Sequence, residues 1–264
     1  MCRLLGYLGS PISLEQVLSQ PEHSLIVQSY QPKEMKSGVV NADGFGVGWY
    51  DSDRESESFT YKNTVPIWSD VNLPSLSRYV ESHCLLANVR SATAGIAVDL
   101  SNCQPFQYGQ ILSMHNGLIK DFRHTLYRPI CDRLSDAAYQ WVKGSTDSEH
   151  MIALLIDELE TSSTLIQALH HMLKVLTELG EKHQTPFSAN FILSDGQQLV
   201  GSRYAYQLDS PSLYYLKDEP VKDHSVSNSV LIASEPLFEG NWESLPDRCL
   251  FTVHHDLTID IQSV

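Results

Sequence analysis

Basic residues are scarce in this chain, with 18 Lys and Arg against 32 Asp and Glu over 264 residues and a formal net charge of -14. That balance leaves no broad basic face to follow a phosphate backbone or an anionic lipid surface, so no nucleic acid and no membrane partner is expected. Acidity of this degree needs no further reason than solubility. Cysteine is also sparse: five residues, at 2, 84, 103, 131 and 249, odd in number and without a Cys-x-x-Cys pair. A disulfide scaffold and a zinc framework are thereby excluded. The histidine pairs His170-His171 and His254-His255 lack metal-ligand spacing, and neither a metal nor a cofactor is expected. No apolar run approaches the roughly 20 residues of a membrane span, and no signal or transit segment is legible ahead of Cys2. A reducing cytoplasm is the expected location, with Cys84 and Cys249 as buried apolar residues of their strands.

A nucleotide loop is missing too. Glycines 38, 44, 46 and 48 crowd one stretch, but their spacing is not G-x-G-x-x-G and no helix follows to receive a phosphate. Glycine here predicts close backbone approach, near a site or where sheets cross.

What is present is ample apolar material, 42% of the residues, enough for a large core in one domain spanning residues 2–264. Arg3 to Leu8 reads as a strand and Ser13 to Leu18 as a short helix. Asn41 to Tyr50 runs from a turn into a strand, and Phe59 to Lys62 is its hairpin partner across 51–58. Asn72 to Ser82 has helical spacing. His83 to Val89 is a buried strand ending on Arg90, and Ile111 to Met114 is another, ending on His115-Asn116-Gly117. Two amphipathic helices follow, over Met151–Leu159 and Leu165–Leu179. Thr146 and Glu149 have the spacing of a capping box, which leaves Asp147 free for another task. From Phe187 onward come short β runs, with Asp195-Gly196 turning a hairpin and Asp218 to Ser229 as a polar loop. Strands at both ends with helices between them predict a layered α+β fold.

Chemistry is concentrated at Cys2. Removal of Met1, which a small second residue permits, leaves a thiol and a free α-amine on one residue. An α-amine of pKa about 7.7–8.0 can accept the proton of a thiol of pKa about 8.5, so one residue supplies both base and nucleophile. Taken singly, the other polar motifs have ordinary explanations. Arg90 suits a surface ion pair, Asn116-Gly117 a type I′ turn, Asp147 a helix N-terminus, and His115 a hydrogen-bonded histidine near the core.

Together they do not. Cys2, Asn41-Ala42-Asp43-Gly44-Phe45-Gly46, Arg90-Ser91-Ala92-Thr93, His115-Asn116-Gly117 and Thr146-Asp147-Ser148-Glu149, in this order and at these intervals, resemble the class II glutamine amidotransferases, which are N-terminal-nucleophile hydrolases. The resemblance implies a four-layer αββα sandwich with Cys2 at the end of a central strand. It also implies that Cys2 attacks a γ-carbonyl, that the Asn116 side chain and the Gly117 N–H hold the oxyanion, that Arg90 with Thr93 grips an α-carboxylate, and that Asp147 takes an α-ammonium. Within the family the chain is most similar to the stand-alone branch that contains the ergothioneine-biosynthesis amidohydrolases, Asn41 to Trp49 being the sharpest mark. A yeast glutathione-degrading amidotransferase subunit is a neighbouring relative.

Synthase-linked members commonly carry Arg-Trp-Ala-Thr-His where this chain has Arg90-Ser91-Ala92-Thr93-Ala94. That departure turns the expectation from free glutamine toward a larger γ-glutamyl small molecule. The candidate is γ-glutamyl-hercynylcysteine sulfoxide, with glutathione breakdown, ammonia supply to a separate synthase and a catalytically silent interaction domain as alternatives. A trimethylammonium leaving group would want aromatic walls, for which Tyr30, Phe45, Trp68 and Phe106 are candidates, Phe45 and Phe106 reading better as core. Homo-oligomer formation is left open.

Overall fold

The computed structural model describes residues 2–35, 38–51, 57–92, 95–218 and 228–264. The first third contains β1 (Arg3–Ser13), α1 (Glu15–Leu18), α2 (Leu25–Tyr30), β2 (Phe45–Trp49), β3 (Phe59–Asn63), α3 (Leu73–Tyr79) and β4 (Glu81–Val89). Next come β5 (Phe106–Tyr108), β6 (Ile111–Ile119), α4 (Tyr127–Cys131), α5 (Asp136–Trp141), α6 (Asp147–Leu159) and α7 (Leu165–Lys182). The chain closes with β7 (Phe187–Ser194), β8 (Leu199–Arg203), β9 (Ala205–Tyr206), β10 (Tyr214–Lys217), β11 (Ser229–Ala233), β12 (Glu243–Ser244), β13 (Cys249–Val253) and β14 (Ile259–Ser263).

These strands form two antiparallel sheets. The first runs β12-β10-β11-β1-β4-β2-β3 and the second β14-β13-β8-β7-β6-β5, with β9 on β7. Alternation along β1 shows why the sheets stack. Leu5 and Tyr7 pack outward with Val17, Leu18 and Leu25 of α1 and α2, whereas Leu4 and Leu8 pack inward against Met114, Ile192 and Phe251 of the second sheet. Successive side chains on a strand point to opposite faces, so a strand apolar at both parities must be covered on both sides. The outer face of the second sheet, through Phe187, Phe191 and Leu193, is covered by α6 and α7. The layers are therefore helix, sheet, sheet, helix, as the resemblance implies.

Local signals explain most boundaries. In α7, Leu165, Ala168, Leu169, Met172, Leu173, Leu176 and Leu179 are buried at helical spacing, and Thr164 caps the start by accepting the Gln167 N–H. Asp195-Gly196 turns β7 into β8 as expected, with Gly196 at φ +91°. Thr146 caps α6 by accepting the Glu149 N–H at 3.2 Å. The reciprocal arm of the expected capping box is not made. The Glu149 carboxylate accepts the N–H groups of Lys143 and Gly144 at 2.7 and 2.6 Å, because that turn has no ladder of its own to satisfy them. Helix α3 ends at Tyr79, short of the expected Ser82, since β4 begins at Glu81 and pairs with β1. Helices α2, α4 and α5, of five or six residues each, carried no periodic signal long enough to read. The expected loop from Asp218 to Ser229 lies mostly outside the described residues.

The glycines of β2 do what close approach requires. A Cβ on Gly48 would lie 2.6 Å from Leu112, one on Gly46 would strike the Gln104 carbonyl, and one on Gly44, at φ +107°, would lie 2.6 Å from the Cys103 sulfur. The segment 103–105 thus crosses the face of β2 on its way to the second sheet. Among the described residues no helix is long and apolar enough to cross a membrane.

Candidate active site

Three neighbouring strands end together. Val89 of β4 pairs with Arg3 of β1 on one side and with Phe45 of β2 on the other, which brings Cys2, Arg90 and Gly44 to one end of the first sheet. Cys2 is half-buried and its thiol is free. Alternation carried one residue beyond β1 puts its side chain on the same face as Leu4, toward the second sheet. Arg90 is buried and laced to the Asn41–Gly44 turn. Its N–H donates to the Gly44 carbonyl at 2.9 Å, its Nη1 donates to the Asp43 carbonyl at 3.1 Å, and Asp43 in turn accepts the Ala92 N–H at 2.8 Å. The guanidinium is thereby held in place, and it lies near enough to Asp99 that, after the bonds Asp99 accepts from Ser101, it helps lower that carboxyl's pKa.

The second half of the site is the open edge of β6. Strand β5 pairs only with Ile111 to Ser113, and beyond it the Gln104 side chain takes over as a surrogate strand. It accepts the His115 N–H at 2.6 Å and donates to the His115 carbonyl at 3.1 Å. Main-chain groups alternate between edges along a strand, so the Gly117 N–H faces that same edge, past the reach of Gln104. Two residues on, the Ile119 N–H donates to Asp147 Oδ2 at 2.8 Å. Asp147 opens α6, accepts the Ser148 N–H through Oδ1 at 2.8 Å, and is half-buried with further acceptor capacity. Asn116–Gly117 is therefore mid-strand, not a type I′ turn: β6 continues past Met114 because every residue from Leu112 to Ile119 pairs with β7. A side chain at 117 would strike the Ser188 carbonyl and the His115 ring.

Asn116 is the most telling residue. It shares inward parity with Met114, is 0% exposed, and neither Nδ2 nor Oδ1 has a hydrogen-bond partner. A buried unsatisfied amide costs roughly 1–3 kcal/mol, which marks a group held ready for something else. His115 instead is satisfied, as the core interpretation expects. The Ser188 carbonyl, 3.1 Å from Nε2, can only accept, so Nε2 carries the proton and Nδ1 accepts from the Ser148 hydroxyl at 2.8 Å. Burial lowers its pKa and outweighs the pull of Asp147, keeping the ring neutral.

Residues 102–104 tie the two halves together. Asn102 accepts the Ser145 N–H beside α6, Cys103 sits against Gly44, and Gln104 binds His115. Burial pushes the Cys103 thiol up, and Arg90 and Cys2 both lie near enough to bear on it. The end of the first sheet that carries Cys2 and Arg90 is thus joined through this segment to the β6 edge and to the start of α6, where Asp147 lies. Thr93 lies outside the described residues.

Sequence reasoning gave no role to four residues here. Asn88, across from Leu4, and Asn190, across from Asn116, are fully buried inward-facing amides, each with an unpartnered Oδ1. An Asn at an inward position of an apolar strand was the available signal. The others are Arg3 and Glu235, a buried ion pair at 3.3 Å. Of the four aromatic candidates, Phe45 and Phe106 are core, and Tyr30 packs edge to face on Trp68 at 5.8 Å on the helical side of the first sheet. Different rings, Tyr214, Phe238 and Trp242, line a cavity of about 640 Å³ with Glu22, Glu239 and Lys33. It includes Val27 of α2 and Pro236, three residues past β11, and lies on the helical face of the first sheet, the face opposite the Cys2 side chain.

With this geometry in view, similarity to known proteins is informative. A family model described as class-II glutamine amidotransferases matches residues 1–258. The chain is 31% identical to a γ-glutamyl-hercynylcysteine sulfoxide hydrolase of Mycolicibacterium smegmatis, over 96% of each protein. It is 30% identical to a probable glutamine amidotransferase of Saccharomyces cerevisiae, over 96% of this chain and 82% of the other. Among solved structures, a glutamine aminotransferase class-II domain protein from Silicibacter pomeroyi superposes with a TM-score of 0.72 at 26% identity, over 99% of both chains. Glutamine phosphoribosylpyrophosphate amidotransferase from B. subtilis shares the fold at a TM-score of 0.66 and 14% identity, this chain matching 49% of it.

Proposed function

The chain belongs to the class II glutamine amidotransferases and is an enzyme of that family; from that premise we propose that it hydrolyses a γ-glutamyl amide through a thioester on Cys2. The observation that carries the proposal is the orphaned Asn116 amide, buried between the sheets and followed on the open strand edge by the Gly117 N–H and by the Ile119 N–H that binds Asp147. Cys2, its proton taken by its own α-amine through a water, adds to the γ-carbonyl. Asn116 Nδ2 and the Gly117 N–H stabilise the oxyanion, preorganised donors worth about a hundredfold to a thousandfold each. Collapse breaks the C–N bond, the ammonium returns its proton to the departing amine, and water then cleaves the thioester to release glutamate. Arg90 binds the α-carboxylate with its guanidinium, Thr93 assisting, and Asp147 binds the α-ammonium.

For the leaving group, the reading best supported is a hercynylcysteine sulfoxide. The 31% identical relative bears that activity in its name. Incubation of the protein with γ-glutamyl-hercynylcysteine sulfoxide, glutathione and glutamine, side by side, tests both levels. The expected result is fastest release of glutamate from the first, with one glutamyl group trapped on the N-terminal peptide. Preference for glutathione would replace the leaving group and keep the chemistry, while turnover without any adduct on Cys2 would remove the mechanism.

A further inference from the structure

We propose that Ser234 and Glu235 form a clamp that aims Cys2, with Arg3 as the handle it holds; Arg3 and Glu235 are then positioning residues for the reaction, and the inference rests on Cys2 being the nucleophile. A residue with no peptide ahead of it is held only from behind. Behind Cys2 the hold is unusually complete. Ser234 grips the main chain of β1 at both groups of Leu4, its N–H donating to the Leu4 carbonyl at 3.0 Å and its Oγ accepting the Leu4 N–H at 2.9 Å. Glu235 grips the next side chain, its Oε1 lying 3.3 Å from Arg3 Nη1.

Glu235 is itself fixed from four directions. It accepts the N–H groups of Lys33 and Glu34 at 2.8 and 3.0 Å, pairs with His23 Nε2 at 2.7 Å, and its carbonyl accepts from Gln28 at 3.2 Å. Burial pushes its carboxyl up, yet His23, the two N–H groups and Arg3 together bring it below its ordinary value. Stability does not explain the arrangement. Arg3 is 0% and Glu235 1% exposed, and Arg3 Nε, Nη1 and Nη2 all lack a hydrogen bond, the ion pair being out of line for one. A buried pair left this incompletely satisfied is generally no more stabilising than apolar residues of the same volume. What it does provide is a fixed position for the strand end, one residue from the reacting atoms, where a displacement of about 1 Å costs on the order of a hundredfold in rate.

The test uses 6-diazo-5-oxo-L-norleucine, a glutamine analogue that alkylates a well-placed thiol with loss of N2, and reads the adduct by mass on the N-terminal peptide. The double variant Arg3→Met/Glu235→Gln removes both charges together, so neither member of that pair is left as a lone buried charge, and the introduced glutamine keeps an amide within reach of His23. Its kinact should fall at least about tenfold while KI, set by Arg90 and Asp147, stays within about twofold of wild type. Glu235→Asp, which keeps the charge but withdraws the carboxylate by one methylene, should show the same split more weakly and carries the test if the double variant does not fold. Wild-type kinact in both variants overturns the clamp, and so does a parallel loss in kinact and KI, the mark of general loosening. An unlabelled Cys2 in the wild type would instead strike down the nucleophile assignment on which the clamp rests.

Discussion

Met114 and Asn116 stand two residues apart on β6, face the same way, and are both 0% exposed. Around Met114 the layer between the sheets is hydrocarbon, with Leu4, Leu86, Ile192 and Phe251 packed together. Asn116 instead stands across from Asn190 on β7, and both amides, like the inward-facing Asn88 of the first sheet, retain at least one atom without a partner. Burying an apolar side chain contributes about 1.5–3 kcal/mol, whereas an unsatisfied amide costs a similar amount. One strand therefore stabilises the fold at one position and sacrifices stability at the next inward one. Burial alone does not separate core from site; satisfaction does.

The sharpest way to break that comparison is at its reactive end. Cys2→Ala is expected to abolish turnover while leaving thermal unfolding unchanged, because the side chain is half-buried at a strand end; residual turnover above background would refute the assignment. Next in size is the pair itself. Asn116→Leu should lower kcat about a hundredfold to a thousandfold and leave unfolding free energy equal or higher. Met114→Ala should do the reverse, costing about 2–5 kcal/mol in denaturant titration with kcat kept wherever the protein is folded. If both substitutions move the same quantity, the contrast is wrong.

Smaller effects sharpen the edges of the site. Arg90→Lys keeps the charge but loses the planar fork, and Asp147→Asn keeps the shape but loses the charge. Each should raise KM about tenfold to a hundredfold with little change in kcat. An inhibitor lacking the α-amino group should bind wild type and Asp147→Asn equally; a difference would show that Asp147 meets some other part of the ligand.

The smallest expected effect lies behind the site. Burial lowers the pKa of His115 and of His150 in the folded protein, so the unfolded chain takes up protons first, at about pH 6.5. Their contribution is complete above that pH and is lost as pH falls from there toward the folded values. Urea midpoints should decline between about pH 7.5 and 5.5, and less steeply in His115→Gln. An unchanged slope would mean that His115 is not held neutral.

Much of this architecture was legible before folding was considered. The doubly apolar run of β1, the long amphipathic α6 and α7, the Asp195-Gly196 turn and the cap at Thr146 are local signals, and local signals survive in a linear text. Glu149 shows where they stop. Its spacing from Thr146 was read correctly, yet its carboxylate serves Lys143 and Gly144, since which unpaired N–H groups lie nearby is settled by the path of a loop.

The sequence by itself determined the two-faced strands, the helical periods and the chemical capacity of Cys2, because each depends on a residue and its near neighbours. Only the tertiary structure decided that β6 runs on through Asn116 and Gly117, that Gln104 replaces a strand beside them, that Asn116 is left unsatisfied, and that Glu235 reaches Arg3 from the far end of the chain. The reason is physical: whether a polar group is paired or orphaned depends on partners brought from distant segments, and no local pattern encodes which partners will arrive.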